Sequence, residues 1–391
     1  MKVLFVGGTW STEKNPDGTY GRPSTMISKG VVETISNRHQ VTCLNGGNYK
    51  DLQDALGMSK DYDVVFWWPN VSNELEKIRN VKEVAPHVML VTSKRNDDDK
   101  YNFMELTQMA LAAKANLAFE IKKDENGLFH FMVFDPLGCG WYRGTSFEEA
   151  LEAAERRLVY LRQITRQSTI TAPESKELVL SWYFDRFKQN EYQSDREVEV
   201  PQEEKFVELV KKYAKRFHEI MKPAGKTKRF LGNASLRPMP PQVGRCSKGM
   251  PSFRKDGYIF MSQRNVDKEY LDLEHFVPTY MEDGKVYYCG NNKPSVDTPI
   301  QIRLYEALPQ INYIIHSHCY IEGAPFTTKS IPCGAIEEVE EVMDALRHYY
   351  GAVEGTGFTL NLLGHGSLAF GASVVDLEGL RYYGRQLPEF M

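Results

Sequence analysis

Several protein classes are excluded by what this 391-residue sequence lacks. Its six cysteines are far apart and never form a CxxC pair, which is typical of reduced, mostly buried thiols in a cytosolic protein. No stretch approaches 18 uncharged apolar residues, and the opening MKVLFVGG has no cationic leader followed by a long apolar run. We therefore predict neither a membrane span nor a signal peptide, and we expect a cytoplasmic protein.

The sequence also lacks an excess of either charge. Lys and Arg number 48 against 52 Asp and Glu, a net charge of -4, which gives no electrostatic reason to expect nucleic acid or an anionic membrane as the main partner. A composition of 42% hydrophobic and 26% charged residues excludes wholesale disorder, collagen and coiled coil. At about 150 residues per domain, the length predicts two domains.

The first domain is predicted over residues 1–165, where strand-like and helix-like segments alternate. Apolar runs predict strands at 2–7, 40–44, 63–67 and 88–92, helical spacing predicts helices at 24–35, 102–114 and 146–163, and a hairpin is expected over 118–134. This alternation predicts a Rossmann-like or flavodoxin-like α/β layer structure. Gly7-Gly8-Thr9 after the first strand is a candidate phosphate-binding turn, or only a link between strand and helix.

The second domain is predicted over residues 203–391, after a polar and charge-rich linker over residues 166–202 that carries one short helix. It opens with a helix over residues 203–221. No internal repeat or low-complexity tract is visible in either domain.

Histidine is sparse, with nine in the chain, yet two stand two residues apart in INYIIHSHC. The apolar lead-in is strand-like, so His316 and His318 project from the same face of the strand. A catalytic zinc ion takes three protein ligands, and His365 is the candidate third because it follows another apolar strand and lies between two glycines. The alternative is a chance pair of core or surface histidines.

Four motifs follow one another in the C-terminal half: Gly232-Asn233-Ala234-Ser235, Pro294-Ser295-Val296-Asp297, His316-Ser317-His318 and His365-Gly366. In this order they resemble the class II aldolase/adducin family, over about residues 203–391. The resemblance implies an α/β domain with a central, mainly antiparallel sheet. The aspartate of PSVDTP is most similar to the ribulose-phosphate epimerase branch, because the aldolases usually carry glutamate there.

The resemblance also implies a metal centre. His316, His318 and His365 would bind Zn²⁺ or another divalent metal, which acts as a Lewis acid when a carbon–carbon bond breaks. Asp297 matches the acidic residue that shuttles a proton beside the metal. Its alternative role is to cap a helix that begins at Thr298-Pro299.

A substrate phosphate would be bound by donors that the family places in the first two motifs, here Asn233, Ser235 and Ser295. Their alternative role is a tight turn satisfied by its own side chains. Where the family usually has another anion-binding turn, this chain has MSQRN, in which Ser262 and Arg264 are candidates. The basic segment 237–254 is either a solvated loop or a lid or neighbour-subunit contact.

An acid that serves the adjacent subunit follows the Ile-Pro-Cys-Gly segment in the epimerase branch. Four glutamates crowd the corresponding place in IEEVEEV: Glu337, Glu338, Glu340 and Glu341. Glu337 and Glu340 are the candidates, but the sequence does not choose among the four, and all of them also suit an exposed helix face. Tyr382 and Tyr383 are candidates for a tyrosine that relatives supply from the tail, with helix packing as the alternative.

The function implied by the resemblance is that of a metal-dependent lyase acting on a small phosphorylated sugar or a related anionic substrate. Epimerisation by cleavage and re-addition is the first alternative, and dehydration of a phosphosugar is the second. A third alternative is a non-catalytic, adducin-like interaction protein. Relatives form rings of four subunits with sites at the interfaces, so a homotetramer is expected.

Overall fold

The computed structural model describes residues 1–7, 34–44, 62–68, 89–112, 115–167, 191–221, 232–238, 244–245, 251–252, 257–282, 285–332, 334–351 and 353–391. These residues divide into two compact units. The first contains the described residues up to 167 together with 387–391, and the second contains the described residues from 191 to 386.

The first unit is built on an eight-stranded mixed sheet. Its strands are β1 (Lys2–Gly7), β2 (Gln40–Leu44), β3 (Val64–Trp68), β4 (Met89–Arg95), β5 (Leu117–Lys123), β6 (Phe129–Phe134), β7 (Cys139–Gly144) and the last strand of the chain, β20 (Glu389–Phe390). Helices α1 (Phe103–Ala112) and α2 (Phe147–Gln167) belong to the described part of this unit.

The sheet order confirms the predicted α/β class. The strands run β2-β1-β3-β4-β5-β6-β7-β20, with β1 to β5 mutually parallel and β6 antiparallel to both its neighbours. The order 2-1-3-4-5 is that of flavodoxin-like doubly wound sheets. The predicted hairpin is formed by β5 and β6, and Gly127 in its turn has φ +84°, a conformation that favours glycine.

The second unit contains another eight-stranded sheet. Its strands are β8 (Glu191–Ser194), β9 (Asn233–Leu236), β12 (Ile259–Ser262), β13 (Phe276–Glu282), β14 (Lys285–Cys289), β15 (Tyr313–Ser317), β17 (Gly357–Leu362) and β18 (Gly366–Gly371). Two short pairs lie outside it, β10 (Gly244–Arg245) with β11 (Pro251–Ser252) and β16 (Tyr320–Ile321) with β19 (Tyr382–Tyr383).

Within its described residues, the second unit contains three α-helices: α3 (Glu204–Met221), α4 (Thr298–Ala307) and α5 (Glu338–Tyr350). Three 3₁₀ helices accompany them: Lys268–Tyr270, Leu273–His275 and Val374–Leu377. The sheet runs β17-β18-β15-β9-β12-β13-β14-β8, and only the outermost pair, β14 with β8, is parallel. The implied central, mainly antiparallel sheet is therefore confirmed.

The structure differs from the predicted boundaries at two places. Residues 191–194, expected in a linker, form strand β8 at the edge of the second sheet. Residues 387–391, expected in the second domain, belong to the first unit, where β20 pairs with β7. Both differences come from strand pairing between segments far apart in sequence, which local composition does not reveal.

Two hydrophobic layers cover the faces of the second sheet. Side chains of α3 pack with Ile315 and Ala369 on one face, and side chains of α4 and α5 pack with Ile314 and Leu360 on the other. Because side chains alternate along a strand, His316 follows Ile314 onto the α4 and α5 face. The end of β15 is thus directed toward the region where both helices begin.

Candidate metal centre

Three histidines converge at the end of β15. His316 lies in the strand, His318 follows it, and His365 lies in the turn between β17 and β18. Their ring centroids are 4.8 to 5.2 Å apart, and one candidate ligand nitrogen from each lies within 4.8 Å of the others. All three are buried, with exposures of 1 to 8%. The chain thus brings together the three imidazoles that the sequence singled out.

Glycines allow this convergence. A Cβ at Gly366 would lie 1.9 Å from the carbonyl oxygen of Ser317 and 2.8 Å from the Cα of His318, so only glycine permits this approach. Gly232, with φ +103°, similarly lets the start of β9 pass within reach of the His316 carbonyl. The close contact of the two backbones places His365 beside the other two rings.

Hydrogen bonds fix the ring orientations. Nδ1 of His316 lies 3.0 Å from the carbonyl oxygen of Ser367, and a carbonyl can only accept, so Nδ1 carries the hydrogen. In the neutral ring Nε2 then keeps its lone pair, and this buried atom has no hydrogen-bond partner among the described residues. Nδ1 of His365 is likewise engaged, 2.7 Å from Oε2 of Glu338.

Burial keeps the imidazoles in the form that metal ions bind. Desolvation lowers the pKa of His316 and, further, that of His318, where the neighbouring rings add to the effect. Three buried imidazoles whose candidate ligand nitrogens lie within 4.8 Å of one another fit a divalent ion of the zinc type, with three protein ligands and an open position. The donor set therefore suits the implied metal.

Asp297 lies beside this cluster and occupies the N-cap position of α4, as the capping alternative expects, but its side chain forms no capping hydrogen bond. Its Oδ2 accepts a hydrogen bond of 2.6 Å from Nδ2 of Asn233, the residue paired with His316 across β9 and β15. Its Oδ1 is buried without a hydrogen-bond partner among the described residues. One oxygen is thus held and the other is available for proton exchange.

Asn233 and Ser235 are turned inward rather than toward an open subsite. The Asn233 side chain donates to Asp297 and accepts from Gln301, and Ser235 Oγ donates to Gln301 and lies 3.0 Å from the Tyr305 hydroxyl. The exposures of Asn233 and Ser235 are 4% and 0%. Since β9 faces α4, these hydroxyls and amides satisfy one another, and the binding of phosphate by Asn233 and Ser235 stays a prediction.

The other predicted anion donors lie near the ends of β9 and β12. Ser262 is fully buried and its hydroxyl accepts from the Ala234 amide at 3.1 Å. Ser295 donates its backbone N–H to the Ser262 carbonyl at 3.1 Å. Arg264 forms an ion pair with Glu191 of β8, while its Nε is buried without a hydrogen-bond partner in the described part of the chain. Glu191 was not predicted, because its strand lies in the expected linker.

The glutamates at the start of α5 differ in burial and in hydrogen-bond partners. Glu337 is buried at the position before the helix, whereas Glu340 is exposed on its outer side, so the structure does not bring Glu340 to the histidines. Glu341 accepts from the Thr328 amide and hydroxyl and the Lys329 amide. Glu338, which the sequence did not single out, is the one that contacts His365.

Burial raises the pKa of Glu338 to about 8, an effect that nearby His316 partly opposes. Two cationic side chains also lie in this region and were missed. Arg385 donates to the His365 carbonyl at 3.0 Å, and Lys268 is buried with its Nζ on two backbone carbonyls. Burial lowers the pKa of Lys268 to about 8, while Asp297 opposes that shift. A lone lysine or arginine in a loop carries no sequence signal of this kind.

Other predicted candidates have structural roles or fall outside the described residues. The guanidinium of Arg237 donates to the carbonyl of Tyr305, in the last turn of α4, at 2.9 Å. It also donates to three carbonyls in the segment that follows the helix. Tyr382 packs edge-on against Tyr213 and Phe217 of α3, which confirms the packing alternative, whereas Tyr383 is 43% exposed. Most of the turn Gly7-Gly8-Thr9 and most of segment 237–254 lie outside the described residues.

Comparisons with known proteins agree with the motifs. Residues 216–377 match the family model described as the class II aldolase and adducin N-terminal domain. Within the described residues, no helix combines the length and apolar character that crossing a membrane requires.

Two solved structures are similar to parts of the chain. One is YgbL from Escherichia coli, whose description offers aldolase, epimerase and decarboxylase as candidate activities: 17% identity over 44% of this chain and 79% of that one, with a TM-score of 0.28. The other is the DNA/pantothenate metabolism flavoprotein from Streptococcus pneumoniae: 16% identity over 41% and 98%, with a TM-score of 0.30. At these TM-scores, neither likeness adds weight to the family match.

Proposed function

From the class II aldolase and adducin match of residues 216–377, we propose that the C-terminal half is a zinc-dependent lyase that cleaves or forms a carbon–carbon bond. The substrate is a small phosphorylated sugar or a related anionic compound. The observation that carries the proposal is the convergence of His316, His318 and His365, buried and with candidate ligand nitrogens within 4.8 Å of one another. Another divalent metal could replace zinc in this donor set.

The mechanism combines a Lewis acid with a positioned carboxylate. A divalent ion held by the three imidazoles supplies a positive charge that stabilises the negative charge developing on substrate oxygen as the bond breaks. Asp297 moves the proton: Asn233 holds its Oδ2, so proton transfer takes place at Oδ1. The buried surroundings of Asp297 exclude water from this exchange.

Recognition of the anionic group falls to residues near the ends of β9 and β12. The hydroxyls of Ser235 and Ser262 and the amide of Asn233 already have partners inside the protein. We therefore place the anion near Arg264 and Ser295, where an arginine fork can bind two oxygens. Glu191 partly neutralises Arg264, which favours a substrate of limited negative charge.

The alternatives start from the same site. Epimerisation by cleavage and re-addition, or dehydration, would use the same metal and the same Asp297, and the products separate the three reactions. An adducin-like interaction protein needs no metal ligands, so the presence of all three histidines favours the enzyme. A homotetramer in the cytoplasm, with sites at subunit interfaces, is part of the proposal.

The first test replaces two ligands at once. Purified full-length protein should bind about one zinc per chain, and a His316→Ala, His318→Ala double variant should lose it together with turnover of a panel of phosphorylated ketoses. His348→Ala is the matched control, because His348 lies on the exposed side of α5. Product analysis distinguishes cleavage, epimerisation and dehydration. If the native protein takes up no divalent metal and turns over no substrate, the proposed enzymatic function is wrong.

A further inference from the structure

A buried carboxylate lies directly behind one of the three histidines. Oε2 of Glu338 is 2.7 Å from Nδ1 of His365, and the two side chains are 5% and 1% exposed. Of the neighbouring glutamates, Glu340 is exposed and Glu341 accepts hydrogen bonds from Thr328 and Lys329. Neither of these two acids therefore replaces Glu338 in the contact with His365.

His365 needs this support more than His316 does. His316 lies within strand β15, and its Nδ1 is bound by the Ser367 carbonyl of the adjacent strand, so backbone pairing fixes its ring. His365 lies in the turn between β17 and β18, where Arg385 binds its carbonyl oxygen at 3.0 Å. Arg385 thus holds the backbone of His365, and Glu338 holds its ring.

The position of Glu338 is set by the core. Glu338 is the first residue of α5, and the side chains of Val339, Val342 and Leu346 along that helix are buried against the sheet. This packing fixes the rotation of the helix about its axis. Glu338 therefore points toward His365 without depending on a flexible loop.

We infer that Glu338 is a positioning residue that orients His365 as a metal ligand, by binding Nδ1 so that Nε2 faces the other two histidines. The inference rests on the proposed metal function of the cluster. A carboxylate on the far nitrogen of a ligating histidine fixes the tautomer and the ring plane, and its removal generally weakens metal binding about 10- to 100-fold. The role of Glu338 is thus to hold the ligand; it does not contact the substrate.

The experiment measures zinc affinity rather than turnover. Full-length protein is stripped of metal and titrated with Zn²⁺ alone against a chromophoric chelator. Glu338→Gln keeps the size of the side chain but replaces the carboxyl group with an amide, and we expect zinc affinity to fall about 10- to 100-fold. Asp344→Asn makes the same chemical change on an exposed position of the same helix, where its only described ion pair is with Arg347, and it should leave the affinity unchanged.

A second variant and a spectrum separate positioning from folding. Glu338→Asp keeps the carboxyl group on a shorter side chain and should also weaken zinc binding, because that group no longer reaches Nδ1 of His365. The visible spectrum of the Co²⁺-loaded variants should change in both cases, whereas a merely structural role would lower the melting temperature of the metal-free protein and leave the spectrum unchanged.

The outcomes distinguish the two proposals. Native protein that binds zinc, with Glu338→Gln binding it equally tightly and giving the native Co²⁺ spectrum, overturns the role of Glu338 alone. Native protein that binds no zinc at all overturns the proposed function itself. If Glu338→Gln does not fold, Glu338→Asp decides the question by the same titration.

Discussion

At the scale of single residues, two side chains with strong sequence signals are hydrogen-bonded inside the protein. Asn233 and Ser235 occupy the motif that relatives use for phosphate, yet both are buried against α4 and bonded to Gln301. Buried polar groups are costly unless paired, so the four side chains that include Tyr305 satisfy one another. The hydrogen bonds of these side chains favour a structural role for the motif, and its binding of phosphate stays a prediction.

Replacing Ser235 tests that assignment. Ser235→Ala leaves the buried Gln301 Oε1 without its donor, so we expect the free energy of unfolding to fall by about 1–3 kcal/mol, with KM unchanged. Urea unfolding and steady-state kinetics provide the two measurements. Ser295→Ala is the comparison variant and should raise KM instead. A higher KM with unchanged stability in Ser235→Ala would restore the predicted role in phosphate binding.

At the scale of elements, the site is assembled where several segments end together. Strand β15 carries His316, the turn before β18 carries His365, and helices α4 and α5 begin beside Asp297 and Glu338. The antiparallel pairing of β15 with β18 sets the distance between His316 and His365. The register of that pair therefore determines whether the histidines share one ion.

Substitution of Gly366 tests whether the close approach of β18 to β15 positions His365. A Cβ there would meet the Ser317 carbonyl oxygen at 1.9 Å, so Gly366→Ala should force β18 away from β15 and displace His365. We expect a loss of stability of about 1–3 kcal/mol, together with loss of zinc binding. Gly323→Ala is the control: its φ of +78° adds backbone strain, but nothing lies within 4 Å of the new atom, and zinc binding should persist. Zinc titration and thermal unfolding measure both effects.

At the scale of the whole molecule, the last five residues of the chain belong to the first unit. The strands of the second sheet and the three clustered histidines lie within residues 191–386, but β20 adds the last strand to the first sheet, beside β7. Leu387 also packs against the turn at Gly138, where a Cβ would lie 2.9 Å from its side chain. The edge strand β20 of the first sheet thus comes from residues that follow the second unit in sequence.

Deletion of residues 387–391 should therefore affect the first unit and leave the metal centre intact. The backbone N–H groups of Glu389 and Met391 donate to the carbonyls of Gly138 and Gly140, and these contacts would be lost. We expect faster hydrogen exchange around residues 138–144 and zinc affinity within error of the full-length protein. Exchange that rises instead around His316 and His365 would contradict the assignment of the tail to the first unit.

The sequence alone determined the class of each half and the identity of the three histidines. Continuous apolar runs and strand alternation are local properties, so the α/β order of the first unit and the shared face of His316 and His318 followed from them. The paired strands and flanking glycines likewise placed His365 close to a backbone. These features depend on neighbours only a few residues away.

Only the tertiary structure decided which glutamate reaches a histidine and which sheet receives the last strand. Glu337, Glu338, Glu340 and Glu341 have the same chemistry, and only the rotation of α5, fixed by packing against the sheet, directs Glu338 to His365. Likewise, β8 and β20 join their sheets through partners far along the chain. Long-range packing and pairing are collective properties of the folded chain, so no local segment contains them.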